Sequence, residues 1–377
     1  MLSRTHLLVV LCLVSSLCAQ DLEGIQIHGF ATQGFLFTSN NNYLSMRSSQ
    51  GSLQWTDGGV SLVDSLSDHL RVGIQLHMYQ LGDLGGPNIQ VDWASGDYRV
   101  NDHLGFRAGK VKTVTGLFND SQDVDAVYLW TLLPQSMYPI DNKSFLLSHL
   151  GGEVYGDLRL GGRRGDMQYR AFAGQANLDS TGGYVKQLAD LGLVFTNPPG
   201  GRTYGGDLRW VAPWNAFTMG SSARVQAVDG TAPAGRLHVP PVVITSHYVQ
   251  FNHKKYYAAV EYRREPINPT IIIGQTVIHS PADQHVWYVM GSYDISKRLQ
   301  LGSYYSHYIN AAADSSLPNN YSKDWDLSGR WNFNDYFYAK LEGHFLHGTA
   351  LGYYTSTNPG GLKPRSNMLA ARIGFSF

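Results

Sequence analysis

Asn367 to Phe377 constrain the fold more than any other stretch of this chain. Leu369, Ala371, Ile373, Phe375 and Phe377 take every second position, and Ala370, Arg372, Gly374 and Ser376 lie between them. A repeat of two is the repeat of a β-strand whose faces meet different surroundings. Here one face is apolar, the other is small or charged, and the last residue is itself aromatic. Lipid on one side and a wet lumen on the other satisfy both faces, as in the closing strand of a transmembrane barrel. Leu369, Ile373, Phe375 and Phe377 are the residues expected to carry that closing strand.

The opposite end is expected to be a secretory leader covering residues 1–19. Arg4 supplies the positive start, Leu7 to Val14 a short apolar stretch, and Ser15 to Ala19 a small-residue exit. Cleavage after Ala19 is the preferred reading, and a lipoprotein reading through Cys18 is weaker because Leu17 is bulky. Both cysteines, Cys12 and Cys18, fall in this leader, so the remaining chain needs neither disulfides nor thiolate metal sites.

Composition narrows the class. After the leader no apolar run reaches the roughly 18–20 residues that a membrane helix requires. Charged residues are 15% of the chain and aromatics 12%, with 41 glycines; soluble domains carry about 25% charged residues. A barrel in lipid explains that combination, with an apolar outside, aromatic rims and glycine-rich turns. A formal net charge of zero gives no reason to expect a nucleic-acid partner. Residues 20–377 show no linker or shift in composition, so one large domain is expected.

Alternating segments recur along that domain. Seven short turns fall near Ser65–Asp68, Asn101–Asp102, Arg163–Asp166, Pro213–Asn215, Asn252–Lys254, Ser296–Arg298 and Asn334–Asp335. Gly, Asn, Asp and Pro dominate them, as turn geometry favours. Eight longer connections are expected at about 38–51, 81–87, 113–148, 175–203, 229–240, 266–283, 311–323 and 347–365. Together they join sixteen strands (within a range of 14–18) into an all-β, transmembrane antiparallel β-barrel, with short turns on one side and long loops on the other.

The alternation also assigns faces. Leu70, Val72, Ile74, Leu76 and Met78 are expected outside, with Arg71, Gly73, Gln75 and His77 inside. Likewise Phe337, Leu341 and Phe345 should face lipid, while Tyr338, Lys340, Glu342 and His344 face the lumen. Aromatics such as Trp210, Trp214, Phe251, Tyr256, Tyr257, Phe333 and Tyr336 crowd the short turns, as rings at a headgroup boundary do. Continuing the register puts Arg71, Arg107, Arg159, Arg170, Arg209, Arg224, Arg263, Arg330, Lys340 and Arg372 inside. The inward acids are fewer: Asp92, Asp157, Asp207, Glu261, Asp326 and Glu342. That balance would enrich anions in a narrow pore, unless each arginine merely pairs with a neighbouring carboxylate.

The connection 113–148 is too long and too apolar to be a floating arm, and loops of that size are usually functional. It is expected to fold into the lumen as a constriction, with Asp120, Asp123 and Asp125 facing Arg107, Lys110 and Lys112. An exterior cap in contact with lipopolysaccharide or a neighbouring subunit is the alternative.

Gly105 to Lys112, then Gly116 to Asp120 and Leu133 to Tyr138, together resemble bacterial outer-membrane porins of the phosphate-selective porin O and P-like group. Ile27 to Ala31, Gln33–Gly34 and Ile373 to Phe377 fit the broader porin class. The resemblance implies a sixteen-stranded barrel, often a homotrimer, in the outer membrane of a Gram-negative bacterium. It would be exported through the periplasm and inserted by the barrel assembly machinery through its C-terminal strand. The expected function is passive diffusion of small hydrophilic solutes or ions. No dense run of Lys or Arg marks a phosphate ladder in the loops.

Alternatives are a substrate-specific channel and an outer-membrane barrel enzyme of protease or phospholipase type. His247, His253, His344 and His347 are the histidines to test, but no Gly-x-Ser-x-Gly or His-Glu-x-x-His pattern is present. No catalytic residue, cofactor or metal-ligand motif is therefore assigned.

Overall fold

Sixteen strands close into one antiparallel barrel in the structure, a computed structural model that describes residues 24–377; the leader reading lies outside them. In chain order they are β1 (Ile25–Thr38), β2 (Ser52–Ser65), β3 (Leu70–Leu81), β4 (Gln90–Asn101), β5 (Leu104–Lys112) and β6 (Ser148–Arg159). They continue with β7 (Asp166–Asn177), β8 (Gly200–Val211), β9 (Phe217–Ala232), β10 (Gly235–His253), β11 (Tyr256–Ile267) and β12 (Ala282–Asp294). The last four are β13 (Leu299–Asn310), β14 (Tyr321–Asn332), β15 (Phe337–Gly348) and β16 (Arg365–Ser376). Each pairs with its chain neighbours, and β1 pairs with β16 from Phe30 opposite Ser376 to Thr38 opposite Met368. Gly29 and Phe377 exchange backbone hydrogen bonds of 3.1 and 3.0 Å, so the terminal residue completes the seam. Closure leaves no unpaired edge, which a spanning sheet requires.

All seven short turns fall where Gly, Asn, Asp and Pro place them. Asn215 shows why: it sits at φ 56°, a left-handed conformation that asparagine tolerates better than most residues. The alternation sorts the faces as expected. Along β15, Phe337, Leu341 and Phe345 are 46–55% exposed on the outside, whereas Tyr338, Lys340, Glu342 and His344 are at most 2% exposed within. Trp214, Tyr256, Trp331, Phe333 and Tyr336 are exposed near the short turns, forming the outer aromatic rim. Tyr257 instead turns inward against Trp130 of the long loop.

Two connections differ from the expectation. Residues 229–240 form no loop: β9 and β10 run on to a turn between Ala232 and Gly235. Pro240 and Pro241 lie in a bulge opposite Ala227, where the register shifts between Gln226 and Val228. A proline that cannot donate to the ladder is tolerated at such a break. Within 266–283, Thr270–Ile273 and Thr276–His279 form a small hairpin, and the first of these pairs with Gly235 to His238 of β10.

The long-loop end is packed rather than open coil. Tyr43, Leu44 and Met46 from the first loop pack with Tyr354 from the last, and Leu178, Val185 and Leu188 pack with Phe145 and Leu146.

Candidate functional site: a loop held across the lumen

The chain leaves β5 through Gly116, which adopts φ 69° with its α-carbon against the Glu261 carboxylate. A side chain would strain the backbone and collide with that oxygen, so glycine sets the entry of the loop. From there residues 113–147 cross the interior. Leu117, Phe118, Leu129, Trp130, Leu133, Met137 and Tyr138 are buried, packed against wall residues Tyr248, Tyr288, Met290, Tyr304 and Tyr308.

Polar groups fix the loop to strands around the barrel. On β11, Glu261 accepts from the Leu117 N–H (3.2 Å) and the Tyr138 hydroxyl (2.5 Å). Burial, then the Glu261 charge, push the Tyr138 phenol well above its usual pKa, so it stays a proton donor. Arg263 donates to the Met137 and Ser136 carbonyls at 2.8 and 3.2 Å. Arg330 on β14 donates to the Ala126 and Tyr128 carbonyls at 2.5 and 2.8 Å. Backbone carbonyls that would otherwise be buried without partners are thereby satisfied.

Two charged clusters add to this framework. In the first, Asp125 takes Arg372 at 2.9 Å, Lys340 at 3.0 Å and the Tyr338 hydroxyl at 2.7 Å. Arg372 also reaches Asp57 (3.3 Å), which bonds His77 (2.5 Å) and lies 3.4 Å from Lys143 of the loop. Asp123 binds Lys112 at 2.8 Å and accepts from Gln75 at 2.8 Å. Burial alone would raise the Asp125 carboxyl, but Arg372 and then Lys340 outweigh it and hold it below the usual carboxylate value.

The second cluster joins β14 and β15 to loop residues 130–132. Trp130 donates its indole N–H to Asp326 at 3.1 Å. The Thr131 and Leu132 N–H groups both donate to Glu342, the latter at 3.1 Å. His344 sits among Asp324, Asp326 and Glu342, with no Lys or Arg bridged to any of those three acids among the described residues.

The expected constriction charges are therefore partly re-partnered. Only Lys112 meets the acids of the loop as anticipated; it also donates to the Asp120 carbonyl at 3.0 Å. Arg107 instead holds Asp97 (2.6 Å) and Glu153 (3.0 Å) of adjacent strands, and Lys110 donates to the Val91 carbonyl. Asp120 pairs with Arg170 at 3.0 Å, and Asp125 reaches across the lumen to β15 and β16. Arg159 stays near the short-turn rim with Asp102 at 3.1 Å. Arg209 lies over the Tyr248 ring, 5.3 Å to the ring centroid. Asp57, His77, Lys143 and Glu261 belong to the site although spacing gave no reason to select them. Inward register marks His77 and Glu261, whereas Lys143 lies in the loop and has no strand register to read.

Two cavities flank the loop on the short-turn side. One, of about 450 Å³, is lined by Arg71, Arg107, Lys112 and Arg170 with Asp97 and Asp120. The other, of about 460 Å³, is lined by Arg209, Lys254 and Lys255 with Asp120 and Asp294, beside Trp130 and Tyr257. Asp120 borders both, and each has more basic than acidic side chains.

Such a closed, sixteen-stranded antiparallel cylinder with an apolar exterior defines the fold class of bacterial outer-membrane barrels. No protein-family model matches the chain, and no curated protein matches it in sequence. Among solved structures it is similar to OmpF of Salmonella typhi, in complex with daunomycin, with TM-score 0.60, 12% identity and coverage of 94% of this chain and 97% of that one. An anion-selective porin from Comamonas acidovorans gives TM-score 0.59 at 11% identity, covering 94% and 99% of the two chains. OmpT of Vibrio cholerae, an outer-membrane protein, gives 0.57 at 11% identity over 94% and 97%.

Proposed function

We propose that this chain is an outer-membrane channel for the diffusion of small hydrophilic solutes, with a preference for anions. The excess of Arg and Lys in the two cavities beside the crossing loop carries this reading. A low-dielectric wall focuses that positive field and raises the local anion concentration. The similar fold of a porin described as anion-selective is consistent with it. Small anions in general are the proposed solutes, rather than phosphate alone, because Asp97 and Asp120 neutralise part of the basic set. The loop 113–147 is the proposed constriction.

A channel is favoured over an enzyme by the surroundings of the histidines. His247 bonds Ser221 at 2.9 Å on the exposed face of the barrel, with no carboxylate joined to the pair among the described residues. His347 bonds Tyr321, and His344 is surrounded by acids, so neither activates a serine. A homotrimer is the inferred assembly, since one Vibrio cholerae OmpT structure is described as a trimer form. Membrane lipid, lipopolysaccharide and the barrel assembly machinery acting on β16 are the proposed partners.

Liposome swelling tests the function. Vesicles holding the purified protein should swell faster in small anionic osmolytes than in cationic ones of equal size. Equal rates would remove the anion preference, and swelling no faster than in protein-free vesicles would remove the channel.

A further inference from the structure

We infer that Asp326, Glu342 and His344 form a binding site for a divalent transition-metal ion of the zinc type, built into the wall where the crossing loop is anchored. His344 is 1% exposed, Glu342 1% and Asp326 0%. The imidazole Nδ1 lies 3.1 Å from Asp324, whose other carboxylate oxygen accepts from the Tyr304 hydroxyl at 2.9 Å. That contact makes Nδ1 the protonated nitrogen, a carboxylate–histidine arrangement that orients metal-binding imidazoles.

The opposite nitrogen, Nε2, lies 3.3 Å from Glu342 Oε2 and 3.7 Å from Asp326 Oδ2. With its lone pair there, it would confront two carboxylates. Bond lengths of about 2.0–2.2 Å in a tetrahedral site put donor atoms about 3.3–3.6 Å apart, close to both separations measured from Nε2.

Charge points the same way. Three carboxylates surround one histidine, and even a charged imidazole leaves the group negative. Unpaired charge inside a protein is costly unless a proton or a cation neutralises it. The loop meets this group through the Thr131 N–H, which bonds Glu342. Asp326 and Glu342 also hold Trp130, Thr131 and Leu132, so a bound ion would tie the loop to β14 and β15.

Zinc titration into the full-length barrel in detergent, after treatment with a chelator, tests this directly. One Zn²⁺ per chain is expected, and Co²⁺ should give the visible absorption of a tetrahedral site. His344→Ala should weaken binding by more than a hundredfold, and Asp324→Asn by about 10–100-fold because it only orients the ligand. His253→Ala, at an exposed residue outside the cluster, should change nothing. Glu342→Gln offers a milder route should His344→Ala fail to give a heat-resistant folded band, and it should also abolish stoichiometric binding. Absence of stoichiometric zinc in the folded wild type, or full binding in His344→Ala, would overturn the assignment.

Discussion

The two charged anchors of the crossing loop lie on neighbouring parts of one wall but are built on opposite principles. Around Asp57, Asp123 and Asp125, the acids are matched by Lys112, Lys143, Lys340 and Arg372, with His77 between Asp57 and Asp92. Around Asp326, three acids share one histidine, and the loop contributes only an indole and two backbone N–H donors. The balanced anchor should therefore lose stability when any cation is removed. The acidic anchor should tolerate the loss of an acid, because each one removed relieves repulsion.

Replacement of Arg372 by Leu sets the largest expected effect. Asp57 and Asp125 would remain buried without their shared guanidinium, at a cost of about 3–5 kcal/mol. Chemical unfolding in micelles should show it, with a larger and noisier channel current as the loop detaches. A destabilisation below about 1 kcal/mol would mean that the pairing is incidental.

Next in size is Leu341→Arg on the outer face of β15, expected to cost about 2–4 kcal/mol if that face meets the middle of the apolar layer. Reversible folding into lipid vesicles is the measurement, and a neutral result would move Leu341 out of that layer.

Glu342→Gln at the acidic anchor should be close to neutral for unfolding in metal-free buffer, within about 1 kcal/mol. A cost as large as that of Arg372→Leu would erase the contrast between the anchors.

Acid response supplies a finer test. The folded Asp125 carboxyl titrates below its ordinary value of 3.8, so its contribution is fully present above that pH and is lost as pH falls through the lower folded value. Unfolding profiles of wild type and Asp125→Asn should converge only below about pH 4. Convergence near neutral pH would contradict the ion pairing.

How much of this was legible in the sequence differs between wall and loop. Hydrophobic alternation placed all seven short turns and gave the faces of β3, β15 and β16, because a strand between lipid and water must repeat every two residues. It failed at residues 229–240, where Asp229–Gly230 and Pro240–Pro241 look like turn chemistry. There the paired strands continue and absorb the prolines in a bulge. The site was legible only in part. Lys112 and Asp123 are near in sequence and belong to the two charge sets expected to face each other, whereas Asp125 and Arg372 meet across the lumen, 247 positions apart. Alternation says that a residue faces inward, but it does not say which residue lies opposite. Asp326 and His344 illustrate the same limit: they are cross-strand partners in the ladder, so no metal-motif spacing announces them.

Single-channel recording in a planar bilayer, with a salt gradient across it, tests the central claim most directly. A wet lumen narrowed by an anchored loop, with basic cavities beside it, predicts stepwise ohmic currents whose reversal potential lies on the anion side. A membrane that stays silent at saturating protein, or a reversal potential on the cation side, would contradict it.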